Sequence, residues 1–263
     1  MSGNEMIKTS DVELNVSVDG SGPPIVFVHG FTTTSNFWWH QIPDLAKRYR
    51  TVRFDLRGHG DSGKPRDIAY TIEGFGDDLR NVMDTLGIGA AAIVGLSMGG
   101  AVAMRFALDH PGRVKALGLV GTSASGFGPM VQARNVLARI AEIGIEAASE
   151  EVIVHSFDAT TDEVIVEWAR REVVKTPRYV AEPAIRSLDD FDVQADLPRL
   201  RMPTLVVVGE NDAITPESSS RLLHNAIPDS ELHVVPKAAH FPMLERPHTF
   251  NQIALQFLRR IGY

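Results

Sequence analysis

The chain has 263 residues, 44% of them hydrophobic and 22% charged, which excludes a disordered or fibrous protein and leaves room for one large α/β domain or a domain carrying a sizeable insertion. A formal net charge of −7 repels a nucleic-acid backbone or an anionic membrane surface, so neither is expected as a partner. Cysteine is absent, which excludes disulfides, thiolate nucleophiles, zinc fingers and iron–sulfur clusters and is compatible with a reducing, cytoplasmic location.

The N-terminal stretch MSGNEMIKTS is polar and lacks the apolar core of a signal peptide, and no apolar run is long enough to cross a bilayer. Beyond it, β-branched runs predict strands over 12–18, 25–28, 51–54, 91–94, 114–120, 204–208 and 231–235. Several are apolar at every position, as in parallel strands covered by helices on both faces; a strand with one wet face would alternate. Between them, helical periodicity predicts helices over 40–48, 72–86, 99–110, 217–226 and 247–260. Alternating strand and helix implies an α/β fold with a doubly wound, mostly parallel sheet.

The pattern changes after Thr122. From 129 to 190 no strand-like run occurs, while Val136, Leu137, Ile140 and Ile143, then Val164, Ile165 and Trp168, then Ile185 and Leu188 fall at helical spacing. A helical cap over 126–197 is therefore expected, inserted into a core formed by 1–125 and 198–263 and packed over one end of the sheet.

Gly95-Leu96-Ser97-Met98-Gly99 lies between a predicted strand and a predicted helix and matches G-x-S-x-G. Such a turn holds its central residue in strained backbone geometry, and a Cβ at either flanking position would collide with the strand or helix beside it. The serine hydroxyl is thereby pushed out at the carboxyl end of the sheet, beside the N-terminal amides of a helix. A serine needs a base, and the base needs an acid to fix its tautomer. Asp212 follows the strand 204–208, and His240 follows the strand 231–235, so both are expected at the same edge as Ser97. The chain order Ser97, Asp212, His240 is that of an α/β-hydrolase catalytic triad. The tetrahedral oxyanion needs two amides, for which Met98, next to the nucleophile, and Phe31, in the loop after the strand 25–28, are the candidates. Because one histidine serves as base, His29 is expected to be structural. No histidine spacing makes a metal site, so no metal and no cofactor are expected.

His29-Gly30-Phe31, Asp55-Leu56-Arg57-Gly58-His59-Gly60-Asp61-Ser62, the Ser97 turn, Gly209-x-x-Asp212 and His240 together resemble the α/β-hydrolase superfamily over almost the whole chain. Trp38-x-x-Gln41-x-Pro43-x-Leu45 and the Arg57-Gly58-His59-Gly60 turn are similar to 3-oxoadipate enol-lactonases and small carboxylesterases. That resemblance implies cofactor-free hydrolysis of a small-molecule ester or lactone under a helical cap, with Ala239 departing from the glycine that most such relatives carry before the histidine.

Other chemistries fit less well. Gly58 to Lys64 imitates a phosphate loop, but Pro65 stands where the Mg²⁺-binding hydroxyl belongs. Ser97 argues against the dehalogenases and most epoxide hydrolases, which carry aspartate there. A carbon–carbon bond hydrolase or a perhydrolase would use the same triad, and a small-ligand receptor could keep the fold without turnover. Phe127, Met130 and Phe241 are expected to line the substrate pocket of a small or medium acyl group; Trp168 and Phe191 also offer apolar surface, and spacing leaves open which of the five face the pocket and which pack the cap. No arginine or lysine is assignable to a substrate carboxylate.

Overall fold

In the computed structural model, which describes residues 3–126 and 133–263, eight strands form one sheet. They are β1 (Gly3–Lys8), β2 (Glu13–Asp19), β3 (Pro24–Val28), β4 (Arg50–Phe54), β5 (Ala91–Leu96), β6 (Val114–Val120), β7 (Thr204–Gly209) and β8 (Ser230–Val235), in the order β1-β2-β4-β3-β5-β6-β7-β8. β1 and β2 run antiparallel to their neighbours, and every pairing from β4 to β8 is parallel. The fold class predicted from the apolar runs is therefore the one observed.

The continuous apolarity of the central strands has the expected cause. In β3, Val26 and Val28 enter one apolar cluster while Ile25 and Phe27 enter another, and in β7 Val206 separates in the same way from Leu205 and Val207. Successive side chains point to opposite faces, and both faces are buried. The first face is covered by α2 (Ile72–Thr85), α3 (Met98–Asp109) and α8 (Glu217–Ala226), the second by α10 (Pro247–Arg260). The predicted helix over 40–48 is instead a 3₁₀ segment, Ser35–Gln41, followed by the one-turn α1 (Ile42–Leu45). Pro43 lies in that first turn, where its missing N–H costs nothing, and it thereby marks a helix start inside the predicted element.

Between β6 and β7 the described chain is helical: α4 (Ala133–Ile143), α5 (Ile145–Val154), α6 (Glu163–Val173) and α7 (Arg178–Asp190). Ser125 and Asp192 pair in an isolated antiparallel bridge where this segment leaves and rejoins the sheet. Ala133, Ile140, Ala148 and Ile185 form a small cluster of their own, against which Phe31 packs. One further short helix, α9 (Pro242–Glu245), precedes α10. No helix among the described residues is long and apolar enough to cross a membrane.

Candidate active site

β5 ends on Leu96 and α3 begins on Met98, so a single residue makes the turn between them. That residue, Ser97, has φ 52° and ψ −119°, in the left-handed half of backbone space that a side chain rarely enters. The turn is held on both sides: Ser97 N donates to Val120 O at 2.9 Å, and Ser97 O accepts from Gly100 N and from Thr122 Oγ1, both at 2.8 Å. The flanking glycines are required by space. A Cβ on Gly95 would strike the carbonyl of Gly99, and one on Gly99 would strike the carbonyls of Val28 and His29.

β7 delivers Asp212 and β8 delivers His240 to the same carboxyl edge, since all of these strands are parallel. His240 Nδ1 lies 2.9 Å from Asp212 Oδ2 and 3.2 Å from Oδ1, with both side chains buried. The carboxylate also accepts the amides of Ile214 and Thr215, each at 2.9 Å, and the Thr215 hydroxyl at 3.0 Å. Burial would raise the Asp212 pKa, but the facing imidazole and the Thr215 donors outweigh it and hold the carboxyl below its ordinary value. An ionised acceptor at Nδ1 keeps the proton there and leaves Nε2 as the lone-pair nitrogen. Gly121, at φ 50°, follows β6 beside the pair, where a Cβ would lie 3.2 Å from His240 Nδ1 and 3.3 Å from Asp212 Oδ2. Nothing in the spacing of the sequence singled out Gly121 or Thr215; a glycine just past a strand end was the only signal.

The loop after β3 lies against the serine: a Cβ on Gly30 would stand 3.2 Å from Ser97 Cβ. The Gly30 carbonyl is held by three groups, His29 Nδ1 at 2.8 Å, Thr33 Oγ1 at 3.0 Å and Thr33 N at 3.3 Å. Because the peptide is planar and trans, the Phe31 N–H points the opposite way from that carbonyl. His29 is fully buried, and its Nε2 accepts the Leu56 amide at 3.0 Å, so both ring nitrogens are engaged in the fold. Lys64, at the end of the phosphate-loop lookalike, turns its ammonium onto the carbonyls of Gly60 and Ser62.

Ser97, His240, Phe31 and Phe241 line one cavity of about 110 Å³. No direct Ser97–His240 hydrogen bond forms among the described residues, and such contacts commonly close only around substrate. Further apolar walls are Val136 and Ile140 of α4, Ala148, Val152 and Ile153 of α5, and Ile214 near Asp212, and Thr32, Thr33, Ser149 and Ser156 also line the cavity. These α5 residues were not anticipated, although Ile145-Glu146-Ala147-Ala148 onward is apolar at helical spacing. Of the three residues expected to line the substrate pocket, Phe241 borders this cavity, and Phe127 and Met130 lie outside the described residues. Trp168 and Phe191 are not walls: Trp168 packs on Phe37 with ring centroids 5.0 Å apart, and Phe191 joins the core. Among the described residues no cluster of histidine, aspartate and glutamate is disposed to hold a metal ion.

The model of the alpha/beta hydrolase fold family matches residues 23–142 and 168–247. The chain belongs to that family. It is 30% identical to the 2-hydroxy-6-oxo-6-phenylhexa-2,4-dienoate hydrolase of Burkholderia cepacia, over 95% of this chain and 92% of that one. A thermophilic esterase from Thermogutta terrifontis superposes with a TM-score of 0.89 at 30% identity, with all of both chains covered. The enol-lactonase of Burkholderia xenovorans LB400 superposes with a TM-score of 0.89 at 28% identity, covering 97% of this chain and all of that one. The resemblance to enol-lactonases and esterases seen in the motifs is thus a family relationship.

Proposed function

We propose that the protein is a serine hydrolase that cleaves an uncharged carboxylic ester or lactone with an apolar acyl group. One observation carries the proposal: a strained serine and a buried histidine, the latter paired with Asp212, line the same cavity at the carboxyl edge of the sheet. Ser97 Oγ attacks the carbonyl carbon while its proton passes to His240 Nε2, and Asp212 stabilises the imidazolium through Nδ1. The electron pair displaced onto the carbonyl oxygen is held by the amides of Phe31 and Met98, each worth about 10²-fold to 10³-fold in rate. Collapse of the tetrahedral species expels the alkoxide, which takes the proton from His240. Water, deprotonated by His240 in turn, then releases the acid and restores the Ser97 hydroxyl. Residues 126–197 act as the cap that shapes the acyl pocket, over a core of 1–125 and 198–263.

The restriction to uncharged acyl groups rests on the cavity walls. Among the described lining residues His240 alone is titratable and none is lysine or arginine, and residues 127–132, FGPMVQ, add no charge by their sequence. A carboxylate on the acyl chain would lose water without gaining a partner.

The test compares p-nitrophenyl hexanoate with the mono-p-nitrophenyl ester of adipic acid, in which a carboxylate replaces the terminal methyl. Many turnovers of hexanoate are expected, with kcat/KM roughly 100-fold or more above that for the adipate ester. A single slow turnover per protein would identify a receptor and end the proposal. Equal rates for the two esters would end the restriction to uncharged substrates.

A further inference from the structure

Glu245 is a buried carboxylate for which the reaction above has no role. It ends α9, and its Oε1 accepts the Ala239 amide at 2.9 Å and the Phe241 amide at 3.1 Å, the two backbone donors on either side of His240. Its Oε2 accepts the Asp158 amide at 2.7 Å and the Thr161 hydroxyl at 2.8 Å, both in the loop between α5 and α6. The amide left between, that of His240 itself, donates to Ser156 O at 2.9 Å in the same loop. Three successive amides around the imidazole are therefore fixed, two by one carboxylate and the third by the helical segment. The acid's loop is tied in as well, since Asn211 Nδ2 donates to Asp158 Oδ2 at 2.6 Å.

Packing alone does not explain a carboxylate here. Taking it out of water is costly, and four charge-assisted hydrogen bonds offset that cost, while an apolar side chain of similar volume would leave the amides of Ala239, Phe241 and Asp158 without this acceptor. What the carboxylate adds is geometry: it joins the backbone on both sides of the base to a loop that neither β7 nor β8 controls. The same α5 that lines the cavity runs into this loop, so the wall of the acyl pocket and the anchor of the base are one piece of chain.

We infer that Glu245 is a positioning residue that locks His240 to the α5–α6 loop and so holds Nε2 in line with Ser97, a role that rests on His240 being the base. An imidazole displaced by about 1 Å costs up to about 10²-fold in rate.

The experiment measures p-nitrophenyl hexanoate kinetics and the downfield proton resonance of the His240 Nδ1–H···Asp212 bond in wild type, Glu245→Gln and Thr161→Val. Glutamine keeps the shape but turns an NH₂ toward donors, so at least one backbone amide loses its acceptor and the Thr161 hydroxyl must reverse its bond or lose it. Its kcat should fall roughly 10-fold to 100-fold with KM within about threefold, and the resonance should shift or broaden. Thr161→Val removes a single donor and should lower kcat about threefold with the same signature, which decides the matter if Glu245→Gln does not fold. Folded Glu245→Gln with wild-type kcat and an unmoved resonance overturns the inference, as does an unaffected Thr161→Val where glutamine cannot be studied. If wild type itself shows no turnover, the assignment of His240 as base falls first and the inference with it.

Discussion

Ser97 sits at φ 52° because β5 and α3 leave one residue for the turn, and the glycines around it are the only residues small enough to let strand, helix and the β3 loop meet there. Such a conformation costs a non-glycine residue about 1–3 kcal/mol, kept because it aims the hydroxyl. Glycine itself would relieve that strain, less the entropy it loses on folding. Ser97→Gly should therefore resist urea better than Ser97→Ala by about 1 kcal/mol, although both lack the hydroxyl. Equal midpoints would mean that the turn stores no strain. The residues on which the proposed chemistry turns were legible as candidates because each stands just past a strand end, where turn chemistry and chain order constrain its type. Gly121, Thr215 and Glu245 were not, because their roles arise from contacts between segments far apart in sequence, such as the 87 positions between Asp158 and Glu245.

At the scale of elements, the strands buried on both faces were the easiest to read, since Ile25 to Val28 and Thr204 to Val208 offer no other explanation for unbroken apolarity. β1, with the sequence GNEMIK, escaped notice: it is an edge strand paired only with β2, and its composition is that of a polar terminus. The helices α4, α6 and α7 were visible as periodicity, but which of their faces meets the cavity was not, because that depends on how they pack over the sheet. Val152 of α5 shows the consequence. It lines the cavity and remains 45% exposed, so a long side chain there can extend without disturbing a core contact. Val152→Arg should raise the ratio of adipate-ester to hexanoate-ester kcat/KM by about tenfold or more, by supplying the cation the pocket lacks. An unchanged ratio would mean that the acyl chain runs elsewhere.

For the whole molecule, the buried histidines set how stability depends on pH. His59 is fully buried against Phe75 and His29, its Nδ1 donates to Arg57 O at 3.0 Å, and its Nε2 has no partner among the described residues. Burial, reinforced by His29, lowers its pKa from 6.5 to about 3. The folded state thus refuses a proton that the unfolded chain accepts below pH 6.5. This contribution is complete above pH 6.5 and is lost progressively as pH falls toward 3. Burial likewise lowers the pKa of His29. Urea melts from pH 7 to pH 4 should show stability falling steadily, and His59→Asn, which retains a donor for Arg57 O, should show a slope shallower by one proton. An identical slope in the variant would remove His59 from the account.

The central claim is that the hydroxyl of Ser97 becomes a nucleophile beside His240. Its most direct measurement is covalent labelling by a fluorophosphonate, with the modified peptide located by mass spectrometry. One phosphonyl group per chain is expected on Ser97, none on Ser97→Ala, and labelling slowed by orders of magnitude in His240→Ala. A label on another residue, or undiminished labelling of Ser97→Ala, would contradict it.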